Sequence, residues 1–300
     1  MNKDFIKRIY APSMRLRVTA VNTLYTASEI TSIHETTPNA TYALGRTITA
    51  AALLSATLKP ESAQSVSIKF TGSGPIREVY VQADSAGNIR GYTANPSVDL
   101  THDIGKISFS KCIEAGFLTV TKDLDIRQPY TGVVPLRTGE VASEIAYYLA
   151  DSEQTPSAVI IGLNLDTDGR FISSGGIMIQ TLPDTAPDTI ELVESNITEQ
   201  KINLGDRLAS GDDIMDIIKK ILGTEEIEIM SEHGIRPGCR CGRDIILSAM
   251  SGISSAELAD MAERDKGAEV KCTFCRKTYS FTADDLLALR SMKENRTNPS

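Results

Sequence analysis

The 300-residue chain contains no tryptophan and only 5% aromatic residues, which argues against an aromatic surface for stacking nucleic-acid bases. Its first residues alternate charged and apolar types and lack the apolar core of a secretory signal. The most apolar run, residues 48–58, is shorter than the ~20 residues that span a bilayer. No phosphate-binding G-x-x-x-x-G-K-[ST] motif occurs, and Gly72-Ser73-Gly74 is typical of a turn. We therefore expect a cytoplasmic protein that uses no membrane, ATP or nucleic acid.

Cysteine is scarce but unevenly placed, and four of the five cysteines form two close pairs. Cys239 and Cys241 form a CxC motif, and Cys272 and Cys275 form a CxxC motif thirty residues further on. Two such pairs supply the four thiolates of a tetrahedral zinc ion, with Zn–S bonds of about 2.3 Å and no open coordination position. The spacing predicts one Zn²⁺ per chain. A zinc knuckle that only folds its own small domain remains an alternative.

Basic residues flank these cysteines, and we expect them to stabilise a dianionic Zn(Cys)₄ centre and to lower the thiol pKa values from about 8.5. The supporting cations are Arg240, Arg243, Lys271 and Arg276. Each cysteine pair is also close enough in sequence to close its own disulfide, which would remove two ligands. Because a structural zinc contributes on the order of 10 kcal/mol to folding a small domain, oxidation should unfold it. The pattern is therefore compatible with a redox switch.

The remainder of the chain predicts an α+β fold with a largely antiparallel sheet domain over residues 1–183. Short runs with β-type composition or alternating polarity predict strands at residues 15–21, 65–70, 78–83, 117–121 and 158–165. Apolar residues at helical spacing predict helices at residues 41–58 and 140–149. Residues 231–300, with the cysteine pairs, are predicted to form a small C-terminal zinc-binding domain.

Residues 184–230 differ from both, because they hold twelve acidic residues against four basic ones. Apolar residues recur there at helical spacing: Ile214, Ile217, Ile218, Ile221 and Leu222. The segment predicts an acidic helical linker whose apolar face docks on a neighbour and whose self-repulsion makes that docking marginal. The apolar face is a candidate client surface. An ordinary solvated helical connector is the alternative.

Several motifs together resemble the heat-shock protein 33 family of bacterial chaperones. They include the two cysteine pairs with Tyr279 and Phe281 after them, and four upstream segments: LTVTKDL at 118–124, QPYTG at 128–132, EVASEIAYYL at 140–149 and GGIMIQTL at 175–182. The resemblance runs from the first predicted strand to the last helix. Asp125 and the run Gly242-Arg243-Asp244 depart from the pattern, but they lie outside the four ligands.

The resemblance implies a redox-regulated chaperone and not an enzyme. In that family the reduced protein holds zinc and is inactive. By the resemblance, oxidation would form the Cys239–Cys241 and Cys272–Cys275 disulfides, release zinc, unfold the C-terminal domain and loosen the linker. The oxidised protein would then form a homodimer and hold unfolding client proteins without ATP during oxidative stress.

Two other classes remain as alternatives. A structural zinc ribbon could serve as a nucleic-acid or protein adaptor, although residues 231–300 carry eleven basic and ten acidic residues, too balanced for a phosphate-binding face. A thiol–disulfide oxidoreductase could use Cys272 and Cys275, although the βαβ context of such enzymes is missing. Cys112 is predicted to be a buried apolar residue in a strand-like run, and His233 a surface residue.

Overall fold

The structure is a computed structural model, and it describes residues 4–183, 185–199 and 202–297. The chain divides into two compact units, one ending at Gly238 and the other beginning at Cys239. Residues 231–238 therefore fold with the first unit. The three-part division of the chain at residues 183 and 230 stays a prediction about which segments unfold separately.

A five-stranded antiparallel sheet forms one layer of the first unit. In spatial order its strands are β10 (Glu228–Gly234), β1 (Phe5–Ala11), β2 (Leu16–Asn22), β9 (Phe171–Thr181) and β8 (Ser157–Leu165). One of the two edge strands, β10, thus begins at the end of the acidic segment and continues past residue 230.

A second sheet has six strands and is antiparallel except at one edge, where the shortest strand pairs in parallel. Its strands, in spatial order, are β11 (Arg236–Pro237), β5 (Asn88–Thr93), β4 (Glu78–Asp84), β3 (Ser65–Gly72), β6 (Gly116–Asp123) and β7 (Tyr130–Pro135). The predicted α+β class with largely antiparallel sheets is confirmed.

The helices that precede the acidic segment are α1 (Leu24–Ile33), α2 (Pro38–Ser55), α3 (Phe109–Ile113) and α4 (Val141–Asp151), with 3₁₀ turns at Pro12–Met14 and Ile104–Lys106. Helix α2 contacts strands of both sheets and buries all but a few of its side chains, so it forms the centre of the main core. Pro38 lies in its first turn, where a missing N–H costs nothing, and the helix starts there rather than at the predicted residue 41.

Three further helices follow in the acidic segment: α5 (Pro187–Glu199), α6 (Leu204–Ala209) and α7 (Ile214–Leu222). They cover the face of the five-stranded sheet opposite to α2, and apolar residues of both layers form a second core cluster. Strand β9 is consequently buried on both faces, with Met178 in the main core and Ile177 and Ile179 beneath the acidic segment.

The second unit contains the helices α8 (Arg243–Met250), α9 (Ser255–Glu263) and α10 (Ala283–Thr297) and the antiparallel strands β12 (Gly267–Lys271) and β13 (Thr278–Thr282). Ser254 and Glu257 form a reciprocal capping box that starts α9. Among the described residues, no helix combines the length and the apolar character needed to cross a membrane.

Candidate metal centre and the acidic cover

The two cysteine pairs meet in the second unit, where the ligand atoms of Cys239, Cys241, Cys272 and Cys275 all lie within 4.8 Å of one another. The Sγ atoms of Cys239 and Cys272 are 3.7 Å apart, and those of Cys241 and Cys275 are 3.2 Å apart. Four sulfurs bound tetrahedrally at about 2.3 Å would be separated by about 3.8 Å. The observed cluster therefore fits a tetrahedral metal ion, in agreement with the predicted set of four ligands.

The CxxC pair lies in the turn between β12 and β13. The N–H of Cys272 donates to the carbonyl of Lys277 at 2.9 Å, and the N–H of Arg276 donates to the carbonyl of Cys272 at 2.9 Å. Arg276 has a φ of 60°, a left-handed conformation that costs a non-glycine residue about 1–2 kcal/mol. These bonds close a tight turn that directs both thiols to one side. The CxC pair comes from the segment just before α8, with Gly242 as the N-cap of that helix.

The four thiols differ in their environments. Burial raises the pKa of Cys239 and raises that of Cys275 to about 12. Burial also acts to raise the pKa of Cys241, but hydrogen bonds from Tyr279 and the other thiols outweigh it and lower the pKa to about 7. Burial is thus the largest influence on Cys239 and Cys275, and the expectation that the flanking cations lower the thiol pKa values of a zinc centre stays a prediction.

Tyr279 contacts the cysteine cluster, a contact that the sequence did not reveal. Its hydroxyl lies 3.2 Å from the Sγ of Cys241, and this hydrogen bond, followed by burial, raises the pKa of Tyr279 to about 12. A phenol that stays protonated can donate to a cysteine thiolate and stabilise its charge. Tyr279 and Phe281 are two residues apart in β13 and therefore lie on the same face of the strand. Because Phe281 is buried, the pattern Tyr-x-Phe could have indicated that Tyr279 also faces inward.

The proposed supporting cations are all exposed, and Arg243 has another partner. Its guanidinium donates to Asp285 at 2.7 Å and stacks over the ring of Phe281, 4.8 Å from the ring centre. Asp285 also accepts from the N–H and the hydroxyl of Thr282, each at 2.8 Å, which caps the start of α10. Arg243 therefore ties α8 to the hairpin and to α10, next to the cysteines. The [ST]-x-x-[DE] pattern of Thr282 and Asp285 predicts this cap.

The predicted apolar face of the acidic segment is buried in the first unit. In α7, Ile214, Ile217, Ile218, Ile221 and Leu222 are at most 5% exposed. They pack in one cluster with Ile9, Leu16, Val18 and Ile177 of the five-stranded sheet. Asp213 caps the helix start and Gly223, with a φ of 69°, ends the helix. The predicted helix is confirmed, and the structure places its apolar face against the sheet.

Few polar bonds fasten this acidic cover, by which we mean helices α5, α6 and α7. Ser173 of β9 donates to the carbonyl of Gly205 at 2.8 Å, and Asn164 of β8 donates to Asp206 at 2.7 Å. The backbones of α6 and β8 touch at Gly162, where an added Cβ would lie 2.3 Å from the nitrogen of Gly205. Docking of α6 therefore depends on the absence of a side chain at Gly162.

Helix α5 covers the sheet least completely. Ile190 and Leu192 are 40% and 46% exposed, whereas Val193 is buried. Beside this helix a cavity of about 530 Å³ extends between α4 and the sheet, lined by Tyr147, Ile179 and Ile190 among others. A cover that leaves apolar side chains exposed and a cavity beside it forfeits part of the packing energy. The acidic cover is thus less tightly packed than α2 on the opposite face.

Two predictions about single residues need correction. Cys112 is buried as expected, and burial raises its pKa to about 11, but it lies in α3 and not in a strand. His233 is half-buried in β10, paired with Ile6, and not a surface residue. Burial, followed by the charge of Arg8, lowers the pKa of His233. An edge strand within an acidic segment carries no apolar alternation, so the sequence did not predict β10.

These features define a class of protein: a two-unit α+β chain with a cluster of four thiols that can hold a metal ion and a helical cover over one sheet. Residues 4–282 match the family model described as Hsp33 protein. The chain belongs to the Hsp33 family.

Curated relatives agree with this assignment. The chain is 35% identical over 285 residues to the 33 kDa chaperonin of Desulforamulus reducens, covering 95% of this chain and 96% of that protein. It is 37% identical over 284 residues to the 33 kDa chaperonin of Citrifermentans bemidjiense, covering 94% and 95%. The crystal structure of a 33 kDa chaperonin, a heat shock protein 33 homolog from Thermotoga maritima, superposes with a TM-score of 0.87 at 30% identity, covering 98% of this chain and 100% of that one. Family membership and the cysteine cluster support a chaperone that binds client proteins.

Proposed function

We propose that this protein is a redox-regulated, ATP-independent holdase whose switch is a zinc ion held by Cys239, Cys241, Cys272 and Cys275. The observation that carries the proposal is the convergence of four thiols within 4.8 Å in a unit with a small apolar core. Zinc bound there supplies structural cross-links and not Lewis-acid chemistry, because four thiolates fill its coordination shell. All five cysteines are thiols in the described structure, the form that binds zinc.

Oxidation removes the ligands. In the proposed reaction one peroxide molecule oxidises one thiol pair, forming one S–S bond and two water molecules, and a second peroxide oxidises the other pair. The proposed pairs are Cys239–Cys241 and Cys272–Cys275, which follow the family pattern. The short Sγ distances instead join Cys239 to Cys272 and Cys241 to Cys275. In a tetrahedral cluster all four sulfurs are neighbours, so peptide mapping of the oxidised chain has to identify the pairs.

Unfolding of the second unit is then proposed to loosen the acidic cover. The segment just before Cys239 contacts the rest of the first unit through short backbone pairings: β11 pairs with β5 over two residues, and the N–H groups of Arg236 and Gly238 donate to Gly87 and Ile89. Loss of the cover would expose the apolar sheet face of Ile9, Leu16, Val18, Ile177 and Ile179. An exposed apolar face of this kind binds unfolding chains through burial and needs no nucleotide.

The direct test is suppression of light scattering by a heat-unfolding client. Zinc-loaded reduced protein and protein treated with warm peroxide are compared without ATP, with Cys112→Ala as a control that keeps the four ligands. We expect suppression only after oxidation, together with release of one zinc per chain. If the protein suppresses scattering in neither state, the cysteine cluster would be only a structural zinc site. Catalytic turnover of a disulfide substrate by the reduced protein would favour an oxidoreductase instead.

Two further parts of the proposal concern location and assembly. A reducing cytoplasm would keep the cluster in the thiol form until oxidants accumulate. The oxidised protein is proposed to form a homodimer through surfaces that the cover shields in the reduced state. Light scattering coupled to size-exclusion chromatography should therefore show a doubled mass after oxidation, and an unchanged mass would contradict the dimer.

A further inference from the structure

Strand β10 is an edge strand of the five-stranded sheet and pairs with β1 on its inner side. It runs antiparallel to β1, with Phe5 opposite Gly234 and Tyr10 opposite Glu228. On its other side β1 pairs with β2 over seven residues without a register shift. Removing β10 would therefore leave β1 in place with an unpaired edge, which is a template for adding another strand.

The side chains of β10 contribute little to the core. Ile229 and Met230 are 52% and 63% exposed, and no residue of β10 belongs to the buried clusters described above. Backbone pairing thus accounts for most of its attachment. Pairing through the backbone is largely independent of sequence, which is what a site for many different chains requires.

The ladder between β1 and β10 is also irregular. Its register shifts between Arg8 and Ile9, so that Arg8 pairs with Ser231 but Ile9 pairs with Ile229, and Met230 has no partner in β1. Such a bulge interrupts the ladder and leaves a residue unpaired. A strand without the bulge could form a more regular ladder, so β10 is a replaceable occupant of this edge.

One contact shows which residues of β1 direct their backbone N–H and C=O groups toward β10. The N–H of Ile235 donates to the carbonyl of Asp4 at 3.2 Å, so Asp4 directs its backbone groups toward β10. The backbone N–H and C=O groups of successive strand residues point alternately to the two edges of the strand, so those of Ile6 and Arg8 also point toward β10. Their partners are His233 and Ser231, whereas Glu232 between them directs its N–H away from β1.

Charge defines the preferred occupant. Lys7 of β1 lies 3.6 Å from Glu232 of β10, whereas Arg8 points to the other face of the sheet, where its guanidinium donates to the carbonyl of Leu58 at 2.7 Å. We propose that the β1 edge is a strand-addition site that takes an extended segment of an unfolded client, antiparallel to β1 and with apolar or acidic side chains, once β10 has left. This inference rests on the proposed function, since release of β10 is part of the activation proposed above.

A peptide with the sequence of residues 226–236 serves as the probe, labelled for fluorescence anisotropy and titrated against the oxidised and the zinc-loaded full-length chain. We expect the oxidised chain to bind it at least about tenfold more tightly. N-methylation of the Ser231 or the His233 amide should weaken binding about tenfold, since each removes a hydrogen bond to β1. N-methylation of the Glu232 amide is the matched control and should change affinity less than about twofold.

The same peptides are then added to the light-scattering assay. The unmodified peptide should compete with the client and the peptides methylated at Ser231 or His233 should not. The edge site is overturned if the oxidised chain holds client but does not bind the peptide, or if methylation at Ser231, Glu232 and His233 weakens binding equally. Either result leaves the proposed function standing. A peptide that dissociates oxidised dimers while client holding persists would assign the edge to a second copy of the chain, which also overturns the inference. Absence of holdase activity after oxidation removes the proposed function and this inference with it.

Discussion

The two units of the chain achieve stability by different means. In the first unit, α2 lies between two sheets and a large apolar cluster surrounds it. In the second unit, the described residues with buried apolar side chains outside the cysteine cluster are only six: Met250, Leu258, Ala262, Phe281, Leu286 and Leu289. Domains of this size rarely fold on so small a core without a metal or a disulfide. Removing the metal should therefore unfold one unit and spare the other.

The two faces of the five-stranded sheet repeat this contrast within the first unit. Helix α2 packs on one face as part of the main core, and the acidic cover packs on the other with exposed apolar residues and a cavity beside α5. Both faces of the sheet are apolar, so the sheet itself does not distinguish them. The difference lies in the elements that cover it, and it supports the proposal that the acidic cover is the part released on activation.

The largest effect is expected from Cys272→Ser, which removes one zinc ligand. Loss of the metal withdraws on the order of 10 kcal/mol from the second unit, which should unfold even in reducing buffer. Zinc content after dialysis and amide exchange of both units measure this, and α2 should keep its protection. Cys112→Ala is the matched control, with zinc content equal to that of the unaltered chain. Full zinc retention by Cys272→Ser would refute the ligand assignment.

Next in size is Ile218→Ser, which places a hydroxyl in the fully buried face of α7. Loss of a buried isoleucine side chain costs about 2–5 kcal/mol, enough to undock the cover. Client binding under reducing conditions should rise, unless the α7 face is itself the client site, in which case it should fall. Asp216→Ser, on the exposed side of the same helix, is the control and should leave client binding unchanged.

Gly162→Ala separates those two outcomes because it undocks α6 without altering the apolar face of α7. The added Cβ would lie 2.3 Å from the nitrogen of Gly205 and must push the helix away from β8. The reduced Gly162→Ala protein should bind client more strongly whether the client binds to the sheet or to the apolar face of α7. Gly252→Ala, whose Cβ would meet its nearest neighbour at 3.6 Å, is the control. Unchanged client binding and unchanged exchange of α6 would show that the close contact does not hold the cover.

A smaller effect is expected from Tyr279→Phe, which removes the hydroxyl next to Cys241. The pKa of Cys241 should rise from about 7, so its thiolate fraction at neutral pH should fall and its alkylation in the folded protein, measured without a chelator, should slow. The pH profile of the alkylation rate measures the shift. Ser280→Ala on the same hairpin should leave that profile in place, and an unshifted profile in Tyr279→Phe would exclude the hydrogen bond as its cause.

The smallest effect concerns His233 in β10. Burial lowers the pKa of this side chain below 6.5 in the folded state, so the released strand binds a proton more readily than the docked one. Docking is therefore fully favoured above the ordinary pKa of histidine and weakens as pH falls below it. The protection factors of the β10 amides, which are corrected for the pH dependence of intrinsic exchange, should fall between pH 7.5 and 5.5, and His233→Gln should reduce that fall. His102→Gln, at an exposed histidine, is the control; an equal response of both variants would contradict the role of His233.

The sequence predicted the metal site better than the architecture around it. Two cysteine pairs at short spacing indicate a zinc site because few other structures require that pattern. Strands β2, β3, β4, β6 and β8 were also predicted, because several of these runs alternate apolar and polar residues and turn residues separate them. Strand β9 was not, because it is buried on both faces and its glycines, serines and apolar residues show no alternation. The pattern Tyr-x-Phe could indicate which face of β13 Tyr279 lies on, but its contact with Cys241 depends on how the hairpin and the CxC segment meet.

The most direct test of the account is hydrogen exchange of the full-length chain, measured in the zinc-loaded reduced form and again after oxidation. We predict that α7, β10 and β11 lose protection together with the second unit, while α2 and strands β3, β4, β5, β6 and β7 retain theirs. Loss of protection confined to residues after Cys239, with α7 still protected, would contradict the claim that the metal centre controls the acidic cover.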